Sequence, residues 1–274
     1  MIVFPNAKIN LGLNILKKRI DGYHDIQSVF LPIDIKDALE VVVNKETEDF
    51  IFTNSGLKID APTEKNLVVK AYKLLKNDFN LPPVSIHLHK VIPFGAGLGG
   101  GSADASFMFK LMNEMFNLNL SFEQLENYAR QIGADCAFFI KNKPAIATGI
   151  GDILQTVSYD FSEFIVVVVK PDLNLNTAKV YSYITPNEQV ERLNLLLDKP
   201  TEQWKNCFFN DFEKVIFSRH PQLEEIKNEL YKKGASYAAM SGSGSSIFGL
   251  FNKNFKPKEL NFKHQSFWSK ILNN

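Results

Sequence analysis

"VIPFGAGLGGGSADASFMFK", residues 91–110, sets five glycines between Gly95 and Gly101, directly ahead of an apolar run with helical spacing. Glycine loses more conformational freedom on folding than any other residue, so so dense a cluster predicts left-handed backbone or a ligand lying against bare main chain. Gly95, Gly97 and Gly100 satisfy G-x-G-x-x-G, the spacing of a dinucleotide fingerprint, but the context opposes that reading. A dinucleotide fold needs a second parallel strand after the helix. Here the helix predicted from Ala103 to Phe116 is followed by another, opened by a capping box of Ser121 and Gln124 and running to about Gln131. The triphosphatase loop needs Lys and then Ser or Thr after its last glycine, and Gly101 is followed by Ser102 and Ala103. The protein-kinase motifs are absent too. What remains is the shared physics of those loops: a glycine turn delivering the chain into a helix N-terminus, whose amides and dipole favour an anion such as triphosphate.

Outward from this loop the chain reads as an ordinary globular protein of 274 residues, 45% hydrophobic and 22% charged. A net charge of +1 and a densest basic run of only Lys17-Lys18-Arg19 argue against nucleic acid or a membrane surface as partner. Two isolated cysteines, Cys136 and Cys207, point to a reducing compartment, and the N-terminus lacks the pattern of a signal peptide, so a cytoplasmic location is expected.

Residues 7–15 alternate, with Ala7, Ile9, Leu11, Leu13 and Ile15 on one face and Lys8, Asn10, Gly12 and Asn14 on the other, which predicts a half-buried strand with a polar side. A hairpin turn at Asp21-Gly22 follows, then strands over 23–33 and 38–43, a helix after Thr63 and a strand over 84–91. "FIVVVVKP" (164–171) opens a second domain, with helices near 177–198 and 221–233 and a last glycine loop, "MSGSGSSIFGLF", over 240–251. His87 and His89 share a strand face, but no third ligand lies near in sequence, so ordinary satisfied histidines are expected and no protein metal site is assigned.

"PFGAGLGGGSADA" resembles the phosphate motif of the GHMP kinase superfamily, named for galactokinase, homoserine kinase, mevalonate kinase and phosphomevalonate kinase. "NAKINLGLNILKKRIDGYH" near the N-terminus, "GADCAFFI", "NDFE" at 210–213 and the last glycine loop fit the same family, so the resemblance spans nearly the whole chain. It implies an α+β, two-lobed GHMP kinase fold: an N-terminal ribosomal-protein-like sheet-and-helix domain, residues 1–155, binding ATP and carrying catalysis, and a C-terminal ferredoxin-like α/β sandwich, residues 156–274, with the active site between the lobes. "AKINL" followed by "DGYH" is similar to the branch of the family that phosphorylates the 2-hydroxyl of a cytidine-diphosphate-linked methylerythritol.

The roles that follow are what this resemblance implies. Asp135 is the general base and Lys8 its electrostatic partner, with Asn10 at the acceptor end. Tyr23 stacks on cytosine, His24 reads its edge, and Thr177 and Tyr181 close the other side of the base. Pro93, Gly95, Gly97, Leu98, Gly99, Gly100, Gly101, Ser102 and Ala103 wrap the phosphates of ATP, and Asn66 either holds adenine or caps the helix it opens. Magnesium arrives with ATP, held largely by phosphate oxygens. Cys136-Ala137 stands where the family often has Val-Pro, and Tyr181 where Phe is frequent; neither removes a functional group. The partner is a small molecule, the oligomeric state, monomer or dimer, stays open, and the alternatives are another small-molecule kinase of the superfamily, an RNA-binding module or a dinucleotide oxidoreductase.

Overall fold

The computed structural model describes residues 1–59, 62–191, 193–255 and 262–272. By contact the chain forms two compact units that do not follow one another in sequence: Met1–Ala7, Ile35–Pro93 and Gly99–Asn142 make up the first, and Lys8–Asp34, Phe94–Leu98 and Lys143–Asn274 the second. The expected division near residue 155 is one of sequence; the contacts interleave the two halves of the chain.

The first unit is built on a sheet of four strands, β1 (Ile2–Val3), β4 (Ala38–Val43), β6 (Val84–Lys90) and β5 (Phe50–Gly56), in that spatial order. β5 and β6 are parallel, and the helix α1 (Leu67–Phe79) makes the crossover that parallel neighbours require. Asn66 starts α1 by accepting the Val68 amide at 2.9 Å. α2 (Gly100–Met115), α3 (Phe122–Ile132) and α4 (Cys136–Lys141) complete the unit. Its core joins Leu39, Val41, Ile86 and Leu88 of the sheet to Tyr72 and Leu75 of α1, Met108, Phe109 and Met112 of α2, and Leu125 of α3. α2 is as deeply buried as its sequence suggests, and the capping box on α3 has both of its hydrogen bonds, Gln124 N to Ser121 Oγ at 3.3 Å and Ser121 N to Gln124 Oε1 at 2.9 Å.

The second unit has two sheets. The long strands β2 (Asn6–Lys18) and β3 (His24–Lys36), whose outer ends belong to the first unit, are joined through the turn at Gly22 and continue into β7 (Ala145–Thr148) and β8 (Ile153–Thr156). The other sheet is antiparallel throughout, ordered β10 (Tyr237–Met240), β11 (Ile247–Asn252), β9 (Phe164–Lys170), β12 (Gln265–Lys270). Val166 to Val169 of β9 are fully buried, and α9 (Pro221–Lys232) lays Leu223, Ile226 and Leu230 against the sheet. The helix expected over 177–198 is two short ones, α5 (Thr177–Tyr181) and α6 (Leu193–Leu197); Arg192 lies outside the described residues. Pro186 has no amide to donate to a helix, and Asn187 N instead bonds the carbonyl of Ile15 on β2 at 2.9 Å. α7 (Thr201–Trp204) and α8 (Asp211–Arg219) complete the unit. Among the described residues no helix is long and apolar enough to cross a membrane.

Candidate active site

The expected phosphate loop falls in both units. In the second, Gly95 and Gly97 take φ of +57° and +75° while Ala96 and Leu98 between and after them are buried. The backbone there is pinned on several sides: Lys8 N donates to Leu98 O at 2.9 Å, Ser246 N to Ala96 O at 3.2 Å, and Ser241 Oγ to Gly97 O at 2.8 Å. The last glycine loop therefore packs on the Gly95–Leu98 backbone. In the first unit Gly99, at φ +70°, is the N-cap of α2, and the first helical bond is Ala103 N to Gly99 O at 2.9 Å. The amides of Gly100, Gly101 and Ser102 precede that bond, no side chain caps them and no acidic residue stands in the first turn. Pro93, half-buried, is where the chain leaves the first unit, and Ala103 is fully buried beneath the turn.

Asp135 also lies in the first unit. It occupies the N-cap position of α4, half-buried, yet its carboxylate accepts no amide from that helix, so it does not serve as the local cap that a lone Asp in such a turn usually provides. Asn66 spends Oδ1 on capping α1.

In the second unit Lys8 and Asn10 share a face of β2, as the alternation predicts, but that face is buried, with Lys8 only 3% and Asn10 2% exposed. The expectation of a solvated polar side is thus corrected: both faces of the strand are covered. Lys8 Nζ donates to Asn10 Oδ1 at 2.6 Å and stands 4.3 Å above the centre of the Phe30 ring, where the quadrupole favours a cation. Asn10 Nδ2 donates to Ser28 Oγ at 2.9 Å, and that hydroxyl donates to the carbonyl of Gly12 at 2.6 Å. Ser28 and Phe30, neither singled out by sequence, orient the two predicted residues.

The predicted base-binding residues lie in the same unit. His24 stacks on Tyr181 with ring centres 5.0 Å apart, and Tyr181 meets Phe212 edge-on at 4.8 Å. Burial and the charge of Lys18 push the His24 imidazole down, so at pH 7 it is neutral and carries one acceptor nitrogen. Thr177 Oγ1 bonds Ser243 Oγ of the last glycine loop at 2.9 Å, and Tyr23 is 59% exposed beyond the hairpin turn.

With this geometry in view, the relationship to known proteins is direct. Two family models match, "GHMP kinases N terminal domain" over residues 66–143 and "GHMP kinases C terminal" over residues 189–269. The 4-diphosphocytidyl-2-C-methyl-D-erythritol kinase of Bacteroides fragilis is 56% identical over 264 residues, covering 96% of each chain. That of Parabacteroides distasonis is 51% identical, covering 98% of this chain and 96% of its own. The chain belongs to the 4-diphosphocytidyl-2-C-methyl-D-erythritol kinase family. A crystal structure of 4-(cytidine 5'-diphospho)-2C-methyl-D-erythritol kinase superposes with a TM-score of 0.81 at 26% identity, covering 99% of both chains. A mevalonate kinase superposes at 0.75 with 15% identity over the whole of both, which shows the shared α+β GHMP kinase fold and nothing narrower.

In each unit the structure gives roles that the sequence reading did not. In "NDFE", Asn210 caps α8 by accepting the Phe212 amide and donates to the carbonyls of Met240 and Gly242 at 2.7 and 2.8 Å, holding the last glycine loop in place. Asp211 accepts the Ile15 amide of β2 at 2.7 Å. In the first unit Lys90, Asp37 and Asp104 form a buried charge cluster directly below the start of α2. His87 and His89, by contrast, behave as expected: their ring nitrogens meet the hydroxyls of Thr53 and Ser55 on the neighbouring strand.

Proposed function

We infer that the chain transfers the γ-phosphoryl group of ATP to the 2-hydroxyl of 4-diphosphocytidyl-2-C-methyl-D-erythritol, a step in making isoprenoid precursors by the non-mevalonate route. The observation that carries the reading is the uncapped, acid-free N-terminus of α2, entered through left-handed Gly99, in a chain 56% identical over nearly its full length to a kinase of that name. ATP phosphates are held by the α2 amides and the Gly95–Leu98 backbone, with residues 1–155 carrying the nucleotide and the chemistry and 156–274 completing the acceptor side. Adenine is held in part by Asn66.

Asp135 takes the proton of the acceptor hydroxyl as that oxygen attacks the γ-phosphorus. The bond from phosphorus to the β,γ-bridging oxygen breaks and ADP leaves. Phosphoryl transfer passes through a loose transition state in which orientation and charge neutralisation dominate, so Lys8, oriented by Asn10 and Phe30, supplies positive charge to the reaction. Where Mg2+ is bound with ATP, phosphate oxygens would hold most of its ligand positions. The bound ion neutralises charge on the phosphates. On the acceptor side Tyr23 stacks on cytosine, neutral His24 reads its amino edge, and Thr177 and Tyr181 close over it.

An ATP-consumption assay with the cytidyl substrate beside mevalonate, homoserine and galactose tests the reading. Turnover with the cytidyl substrate alone is expected; comparable turnover with mevalonate or homoserine would overturn it.

A further inference from the structure

Lys90 is the last residue of β6, and its ammonium is wholly buried. It donates to Asp37 Oδ2 and, at 2.8 Å, to Asp104 Oδ2 on α2. The other oxygen of Asp37 accepts the amides of Val91 at 2.6 Å and Ile92 at 2.9 Å, so one carboxylate fixes both the lysine and the first two residues of the loop that leads to the nucleotide turn. Leu57 N bonds the Lys90 carbonyl at 2.9 Å, anchoring the same point to the end of β5. A Cβ placed on Gly100, the first residue of α2, would lie 3.3 Å from Lys90 Nζ and 2.8 Å from Ile92 Cγ2. The ammonium therefore lies against the first residue of α2.

Such an arrangement is expensive to build from charges, since each must be taken out of water, and a well-packed apolar cluster would hold a fold at least as well. What polar groups add is geometry: an ammonium held between Asp37 and Asp104 fixes three segments against one another. Asp104 Oδ1 is buried with no hydrogen-bond partner among the described residues.

We propose that Lys90 and Asp104 are positioning residues for phosphoryl transfer, clamping the first turn of α2 from below so that the Gly100, Gly101 and Ser102 amides stand at the height ATP phosphates require. The proposal rests on reading Gly95–Ala103 as the ATP phosphate loop. It touches the nucleotide side only, so the acceptor side serves as its internal control.

Asp104→Ala cuts the tether to α2 while leaving the Lys90–Asp37 pair intact, and Lys90→Met cuts both. Calorimetric titration with ADP, ATP and CDP, together with steady-state kinetics in both substrates, reads the effect. Asp104→Ala is expected to weaken ADP and ATP about 10-fold or more and to raise the KM for ATP, with CDP affinity and the KM for the cytidyl substrate within about 2-fold of wild type. Lys90→Met is expected to do the same more severely where it folds. A folded Asp104→Ala protein that binds ADP as the wild type does, or one in which ADP and CDP weaken equally, would overturn the proposal. Wild-type protein that binds neither ADP nor ATP would sink the function itself, a separate outcome.

Discussion

Ser241 Oγ donates to the carbonyl of Gly97 at 2.8 Å, and the carbonyl of Ser241 stands 1.8 Å from where a Cβ on Gly97 would be. The two glycine loops are thus interlocked main chain to main chain, and Gly97 is required by its neighbour as well as by its φ of +75°.

The glycines of residues 95–101 accordingly fall into two kinds, which substitution can separate. Gly97→Ala meets backbone and a left-handed φ together, so it should lower thermal stability and nucleotide affinity at once. Gly101 is helical, and its Cβ would find nothing closer than Leu67 Cδ1 at 3.7 Å. Gly101→Ala should therefore stabilise the protein by about 0.5–1 kcal/mol, the usual gain from replacing glycine within a helix, and yet weaken ADP. A more stable Gly101→Ala protein with unchanged ADP affinity in calorimetry would show that the phosphates do not approach this backbone.

Asp104 gives a pH dependence whose sign follows from its environment. Burial, reinforced by Asp37 and opposed by Lys90, raises its carboxyl to about 8. In the unfolded chain it titrates near the ordinary carboxylate value, so between about pH 4 and 8 the folded protein binds the extra proton, and stability falls as pH rises through that window. The slope is at most about 1.4 kcal/mol per pH unit for one group. Asp104→Asn mimics the protonated form and removes the dependence. Thermal midpoints from pH 5 to 8 should fall more steeply for wild type than for Asp104→Asn; parallel curves would show that this carboxyl does not titrate in the window.

What the sequence makes legible here is local. The alternation of β2 places Lys8 and Asn10 on one face, and the Ser121–Gln124 box is present bond for bond, because both depend on residues within three positions of each other. Alternation says which side chains share a face but not what covers it, which is why the burial of Lys8 is a structural finding. β5 goes unread because the apolar run of "FIFTNSG" stops at Phe52 and the rest is polar, its place secured by pairing with β6. The Lys90 cluster is invisible for another reason: its partners stand 53 and 14 positions away, and at the end of "VSIHLHK" a lysine reads as a solvated strand terminus.

For the chemical step, Asp135→Asn and Lys8→Met are each expected to lower kcat about 100-fold or more, the usual size of general-base and charge-stabilisation effects. The cap of α4 does not use the Asp135 carboxylate, so Asp135→Asn should keep the helical circular dichroism of wild type. Lys8→Met leaves the Asn10 carbonyl without the ammonium, so a drop in stability should accompany its loss of rate. Turnover by Asp135→Asn near the wild-type rate, measured at saturating concentrations of both substrates, would remove Asp135 from the mechanism.

The acceptor pocket makes the prediction that separates this kinase from the rest of its superfamily. Stacking is tolerant of base identity, since every base has a face, so discrimination must come from the edge. Cytosine offers an amino donor where uracil offers a carbonyl acceptor, and the neutral His24 ring has an acceptor nitrogen for the former. With uridine two acceptors would oppose each other and leave a buried polar group unpaired, costing about 1–3 kcal/mol. CDP should therefore protect the protein against heat more than UDP does, with ADP acting separately through the phosphate loop. Tyr23, exposed in the absence of a base, contributes little to the fold, so Tyr23→Ala should leave the unliganded thermal midpoint unchanged. It should raise the KM for the cytidyl substrate much more than the KM for ATP, because stacking binds ground state and transition state alike. Equal protection by CDP and UDP, with an unaltered KM for the cytidyl substrate in Tyr23→Ala, would show that His24, Tyr181 and Tyr23 do not read the base.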